Sequence, residues 1–193
     1  RHQSTTPPAM QIQLTGEKDN FVLYNDQTHT LYTETFVIDN VQCFTVYEST
    51  IVVALPDNSV TIHHLDDTSY TIQPIAGTKK ITHLELTDTH LFCVDVLGKV
   101  YVYVCDTTTF TFLQTIQLTE IPNHIKVVDN TTLFIMTQTR LHTYKMHPTI
   151  VHQYQIPVSD DTTEFYAARD DDKLFVAYLS NKTVYAALSV CHT

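Results

Sequence analysis

The chain has 193 residues, 43% of them apolar, enough for a real core, so general disorder is excluded. Thr, Val, Ile, Tyr and Phe number 32, 19, 13, 11 and 9 against only 8 Ala, which is strand chemistry and speaks against a helical bundle. Eleven basic against 21 acidic residues leave a formal charge of -10, which argues against a nucleic-acid surface, and no apolar run approaches the ~18 residues of a membrane-spanning helix.

Residues 1–11 are polar, carry Pro7 and Pro8, and read as a flexible lead-in without the apolar centre of an export signal. Residues 12–40 read as an irregular or partial unit, with a hairpin over residues 20–35. Regular structure is then predicted over 41–193. Strands are expected at 41–47, 50–55 and 60–65, with Pro56-Asp57-Asn58-Ser59 as the turn, and at 70–75. The next set is 81–86, 90–95, 100–104 and 110–118, with the turn Val96-Leu97-Gly98-Lys99. Strands at 124–128, 132–136, 141–144 and 150–158 follow, and then 163–168, 173–178 and 183–187.

Each central pair is an apolar run, a short polar turn and a second run, the signature of a hairpin. The first runs begin at Ile51, Leu91, Leu133 and Leu174, and the second at Val60, Val100, Leu141 and Val184. Both series step by about 40 residues. A four-stranded antiparallel unit of ~40 residues is a propeller blade. The expectation is therefore an all-β protein, a β-propeller of four-stranded antiparallel blades with about four to five blades present. Seven such blades need about 280 residues. Either the ring closes with fewer blades or, the favoured expectation, the propeller is incomplete and the rest comes from a longer parent chain, a partner or a second copy.

Blade ends read Asn58-Ser59-Val60-Thr61-Ile62-His63-His64-Leu65-Asp66 and Gly98-Lys99-Val100-Tyr101-Val102-Tyr103-Val104-Cys105-Asp106. A turn, an alternating strand and a closing Asp resemble the WD-repeat propellers over roughly residues 41–190. Trp is absent altogether, and so are the Trp-Asp pair and the Gly-His pair of such repeats. The resemblance is one of blade pattern. It implies scaffolding inside a larger assembly, in cytoplasm or nucleus.

Candidate chemistry is sparse. Adjacent His63 and His64 point to opposite faces of a strand and cannot share an ion. His83 and His90 flank a turn, His142 and His147 straddle a strand end, and His152 starts another strand. None shows zinc spacing, so they read as strand-surface residues, although a propeller can gather ligands from several blades. Asp66-Asp67, Asp160-Asp161 and Asp170-Asp171-Asp172 fall between strands, where Asp supports turns. Asn130 and Asn181 head sequons and also read as turn residues. Cys43, Cys93, Cys105 and Cys191 form no CxxC pair and read as reduced thiols, with a Cys93–Cys105 bridge as the less favoured reading. No nucleophile elbow or phosphate loop occurs, and the 3 Gly leave little material for one. Tyr101 and Tyr103 share one face and are expected in a seam between blades; exposed, they would anchor a partner.

No catalytic, cofactor-binding or metal residue is assigned, no cofactor is expected, and partner-contact residues stay unranked. The function expected is a non-catalytic interaction scaffold or adaptor subunit. Its partners would be proteins, drawn by the acidic surface where they carry basic segments, with neither nucleic acid nor membrane as partner. The alternatives are a propeller-type metal-dependent hydrolase and a non-catalytic subunit that activates an enzyme on a partner chain.

Overall fold

The computed structural model describes residues 10–14, 21–64, 68–72, 78–106, 109–171, 173–180 and 183–190. Among them are nineteen strands and no helix. The first sheet holds β1 (Met10–Leu14), β2 (Phe21–Asn25), β3 (Thr30–Thr33) and β4 (Val37–Ile38), paired in that order. The second holds β5 (Cys43–Tyr47), β6 (Thr50–Ala54), β7 (Val60–His64) and β8 (Ser69–Ile72). The third holds β9 (Ile81–Leu86), β10 (His90–Asp95), β11 (Lys99–Asp106) and β12 (Thr109–Gln117). The fourth holds β13 (His124–Val128), β14 (Thr132–Met136), β15 (Arg140–Lys145) and β16 (Val151–Pro157). The fifth is three-stranded: β17 (Thr162–Asp170), β18 (Lys173–Ser180) and β19 (Thr183–Val190).

In the first four sheets each expected hairpin is thus the middle pair of a consecutively paired antiparallel sheet, whereas in the fifth it is β18 and the edge strand β19. The N-terminal expectation needs one correction. Met10 and Gln11, read as the end of a lead-in, lie in β1, which pairs with β2 from Met10↔Asn25 to Leu14↔Phe21. This sheet is the shortest in its outer strand, because β4 has two residues.

The chain divides into two compact units, one holding sheets one to three and the other sheets four and five with residues 97–99. In the first unit β6 explains why central strands read as unbroken apolar runs. Its side chains alternate between two faces, and both are covered. Ile51 and Val53 enter a core with Val22, Tyr24 and Leu31 of the first sheet. Val52 and Ala54 enter another with Leu84, Leu86, Leu91 and Cys93 of the third. In the second unit Phe134, Met136 and Leu141 of the fourth sheet pack on Phe165, Leu174 and Val176 of the fifth. Edge strands are the opposite case. In β16 no residue is fully buried, which is why its pattern is mixed.

Turns follow the local chemistry. Leu55-Pro56-Asp57-Asn58 closes with the Asn58 amide donating to the Leu55 carbonyl at 2.9 Å, and Asn58 then takes a left-handed φ of 67°. Val128-Asp129-Asn130-Thr131 has positive φ at both central residues, 51° and 55°, as a primed hairpin turn requires. Asn130 is therefore a turn residue, as read from sequence, while Asn181 lies outside the described residues.

Candidate functional site

Two clefts mark the ends of the seam between the second and third sheets. The larger, about 400 Å³, is lined by loops from three sheets: His29, Asn40, Gln42, Pro56, Lys80 and Thr82 are among them. Gln42 donates its side-chain amide to the Ile81 carbonyl, which closes the cleft floor. Lys80 belongs to the only adjacent basic pair of the chain, Lys79-Lys80.

The smaller cleft, about 220 Å³, opens at the other end of that seam. The end of β5 contributes Tyr47 and the turn after it Glu48, the turn before β10 contributes Asp88, and the end of β11 contributes Cys105 and Asp106. Leu86 and Phe110 form its apolar side and His64 sits at its rim. The Asp88 turn is held by Thr87, whose hydroxyl accepts the amides of Thr89 at 3.3 Å and His90 at 3.0 Å. Burial and then the carboxylates of Asp88 and Glu48 raise the Tyr47 phenol above its usual value. Burial, with Asp88 adding to it, pushes the Cys105 thiol up to about 12. Both shifts come first from burial, and the neighbouring carboxylates add to it.

The other sequence candidates disperse. His63 stacks on Phe36 with ring centroids 5.5 Å apart, whereas His64 meets Thr50 Oγ1 at 3.2 Å, on opposite faces as expected. His83 contacts Thr82 Oγ1 and His147 the Asn130 carbonyl. His90 is buried and stacks on Phe92. Asp161 accepts from the Ser180 hydroxyl, which holds its carboxyl below the usual range, a turn role. Asp171 takes a left-handed φ of 52° at the β17–β18 turn. Asp66, Asp67 and Asp172 lie outside the described residues.

Cys43, Cys93 and Cys105 are free thiols, and Cys191 lies outside the described residues. Burial raises all three, which makes them inert rather than nucleophilic. Tyr101 and Tyr103 are 2% and 6% exposed in the core between the second and third sheets, so they fill the seam. Among the described residues no group of three or more His, Cys, Asp or Glu side chains is arranged for a metal ion.

Sequence reasoning missed one cluster. His142 Nδ1 lies 3.3 Å from His152 Nε2, and the Tyr144 ring packs edge-on against His152 at 5.2 Å. The acidic cleft was missed too. It is assembled from three turns and strand ends with no shared spacing, so no linear motif could have shown it.

Five consecutive antiparallel sheets, with cores between successive sheets inside each unit, define a β-propeller fold. The structure of Kluyveromyces lactis Hsv2 is similar at a TM-score of 0.68 and 14% identity, over 94% of this chain and 62% of that one. The WD40 domain of SCAP from fission yeast is similar at 0.60 and 12%, over 93% and 53%. A chain in the S. cerevisiae complex of dbp5 bound to nup159 and gle1 is similar at 0.56 and 9%, over 94% and 60%. The chain thus spans about three-fifths of the length of these structures. No family model and no curated protein sequence matches it.

Proposed function

We propose that the chain is a non-catalytic interaction module on a degenerate WD-repeat-type propeller, serving as scaffold or adaptor inside the cell, in cytoplasm or nucleus. It docks a basic segment of a protein partner. The observation that carries this reading is the acidic cleft, where Glu48, Asp88 and Asp106 stand beside Tyr47, Leu86 and Phe110. A lysine or arginine side chain has matching parts. Its methylene stem suits the aromatic and aliphatic wall, and its charged head suits the carboxylates. The net charge of -10 steers such a segment inward. Among the similar structures is the nup159–gle1–dbp5 complex, a protein assembly.

Completion of the propeller by further sheets, from another chain or a second copy, is part of the same proposal. The fifth sheet supports it. Phe175 on β18 is 45% exposed, where the equivalent strands β10 and β14 are buried throughout, and Tyr166 and Val184 beside it on the same face are each 70% exposed.

The test is fluorescence anisotropy with the full chain and a set of Lys- and Arg-containing peptides against acidic controls. Basic peptides should bind and lose affinity with salt. One charge pair at ~4 Å contributes about 1–4 kcal/mol between water and a partly screened surface. Asp88→Asn should therefore weaken binding by about tenfold. No preference for basic peptides, or equal binding by Asp88→Asn and Asp106→Asn, would refute the reading.

A further inference from the structure

The β15–β16 pairing contains an irregularity with a chemical consequence. His142 faces Gln155 and Thr143 faces Tyr154, but Tyr144 then faces His152, so Gln153 is the extra residue of a bulge. In unbroken register Lys145 would oppose His152, on the other face of the sheet. The bulge moves His152 onto the face of His142 and Tyr144. It leaves His142 Nδ1 3.3 Å from His152 Nε2.

That separation has a specific meaning. A tetrahedral ion with Zn–N bonds of about 2.0–2.1 Å holds two nitrogen ligands about 3.3–3.4 Å apart. We propose that His142 Nδ1 and His152 Nε2 form a two-point site for one exchangeable divalent ion of the imidazole-binding class, Zn²⁺, Cu²⁺ or Ni²⁺, with water in the remaining positions. The ion displaces the hydrogen bond between the rings. The proton on the donating nitrogen moves, through solvent, to the other nitrogen of the same ring, so two neutral imidazoles bind without net proton release.

The surroundings suit this role. His142 packs against Tyr144 with ring centroids 6.4 Å apart, which fixes its ring. Tyr144 is 5% exposed and packs edge-on against His152, an aromatic wall to the site. His142 is 9% exposed while His152 is exposed, so one ligand is fixed and the other is open to the entering ion. Both ligands stand on paired strands, which sets their separation by the sheet and leaves little side-chain entropy to lose on binding.

The test is isothermal titration of the full chain with ZnCl₂ near pH 7.5, paired with thermal melts. One site should bind more tightly than the scattered histidines, and bound zinc should raise the melting midpoint. His152→Ala, at an exposed position, should weaken that site by about tenfold or more, since even outer-shell partners of a metal are worth roughly 10–100-fold. His83→Ala should leave it unchanged. Binding should weaken as pH falls through the histidine range. The proposal is overturned if the His152→Ala isotherm superimposes on that of the parent chain. It is equally overturned if ¹⁵N imidazole spectra of the parent chain keep the ring-to-ring hydrogen bond in saturating zinc. His142→Gln should weaken the same site, and should that variant fail to fold, His152→Ala alone decides the matter.

Discussion

Asn58 and Gly98 hold the same position in the same kind of turn, one between β6 and β7 and the other between β10 and β11. Both are left-handed, with φ of 67° and 79°. They stand 40 positions apart, one repeat length. Their surroundings differ. Asn58 donates its side-chain amide to the Thr78 carbonyl at 3.3 Å. A Cβ on Gly98 would lie 3.0 Å from the Glu120 carbonyl oxygen and 3.2 Å from that of Leu118. Gly98 is glycine for space as well as for φ.

A paired substitution separates these two causes. Asn58→Gly removes one hydrogen bond and relieves a left-handed φ, so its change in stability should stay within about 1 kcal/mol. Gly98→Ala adds the left-handed cost and a contact with backbone that cannot swing away. It should cost about 1–3 kcal/mol. Urea denaturation of the two variants checks the difference. Equal effects would mean that the backbone at residue 120 yields.

Adjacent residues on β17 should differ as sharply. Phe165 is 2% exposed and meets Phe134 with ring centroids 6.0 Å apart, whereas Tyr166 is 70% exposed on the opposite face. Phe165→Ala leaves a cavity between the fourth and fifth sheets and should cost about 3–5 kcal/mol. Tyr166→Ala loses only a ring over which Lys126 Nζ sits at 4.7 Å, worth about 0.5–1 kcal/mol. Denaturation midpoints at fixed pH check the contrast.

The pattern behind these variants was legible where burial is two-sided. β6, β10 and β14 are covered on both faces, so Ile51-Val52-Val53, Leu91-Phe92-Cys93-Val94 and Leu133-Phe134-Ile135 read as strands with no gap. Their turns carry Pro56, Asn58 and Gly98, and turn chemistry is local. The edges were less legible. β4 is two residues, too short for a periodic signal, and β1 sits in a stretch whose prolines suggested a lead-in. The His142–His152 pair depends on a bulge at Gln153, and no spacing rule encodes which strand accommodates an extra residue. The acidic cleft joins Glu48, Asp88 and Asp106 across two sheets, a relation set only by packing.

Thiol chemistry tests the seam directly. Cys43 and Cys105 are pushed up to about 12, each chiefly by burial. Cys93 is raised as well, by burial first and then by the neighbouring thiols, and is 2% exposed. At pH 8 a group with pKa about 12 is thiolate about once in 10⁴, against about one in ten at the ordinary 9.0. In a Cys191→Ser background, alkylation of the folded chain should run roughly a thousandfold slower than in guanidinium, with Cys93 slowest. Fast labelling of Cys93 under native conditions would mean that the second and third sheets separate readily.

The pH dependence of stability should carry the mark of His142. Its folded-state pKa lies below the ordinary 6.5, first from burial, then from His152 and Arg140. Between the two values the unfolded chain holds a proton that the folded chain does not. Stability therefore rises with pH across that interval. It is full above about 6.5 and falls as pH drops below 6.5 toward the depressed folded value. The other groups with resolved downward shifts, Asp57, Glu120 and Asp161, titrate in the carboxylate range and leave this window to histidine. Urea midpoints between about pH 5 and 7.5 should slope upward in the parent chain. His142→Phe keeps the ring and removes the titration, so its slope should be shallower. His152→Ala should lessen the slope in part, because it removes one of the causes holding His142 down. Identical slopes in all three chains would show that His142 is not held neutral by its surroundings.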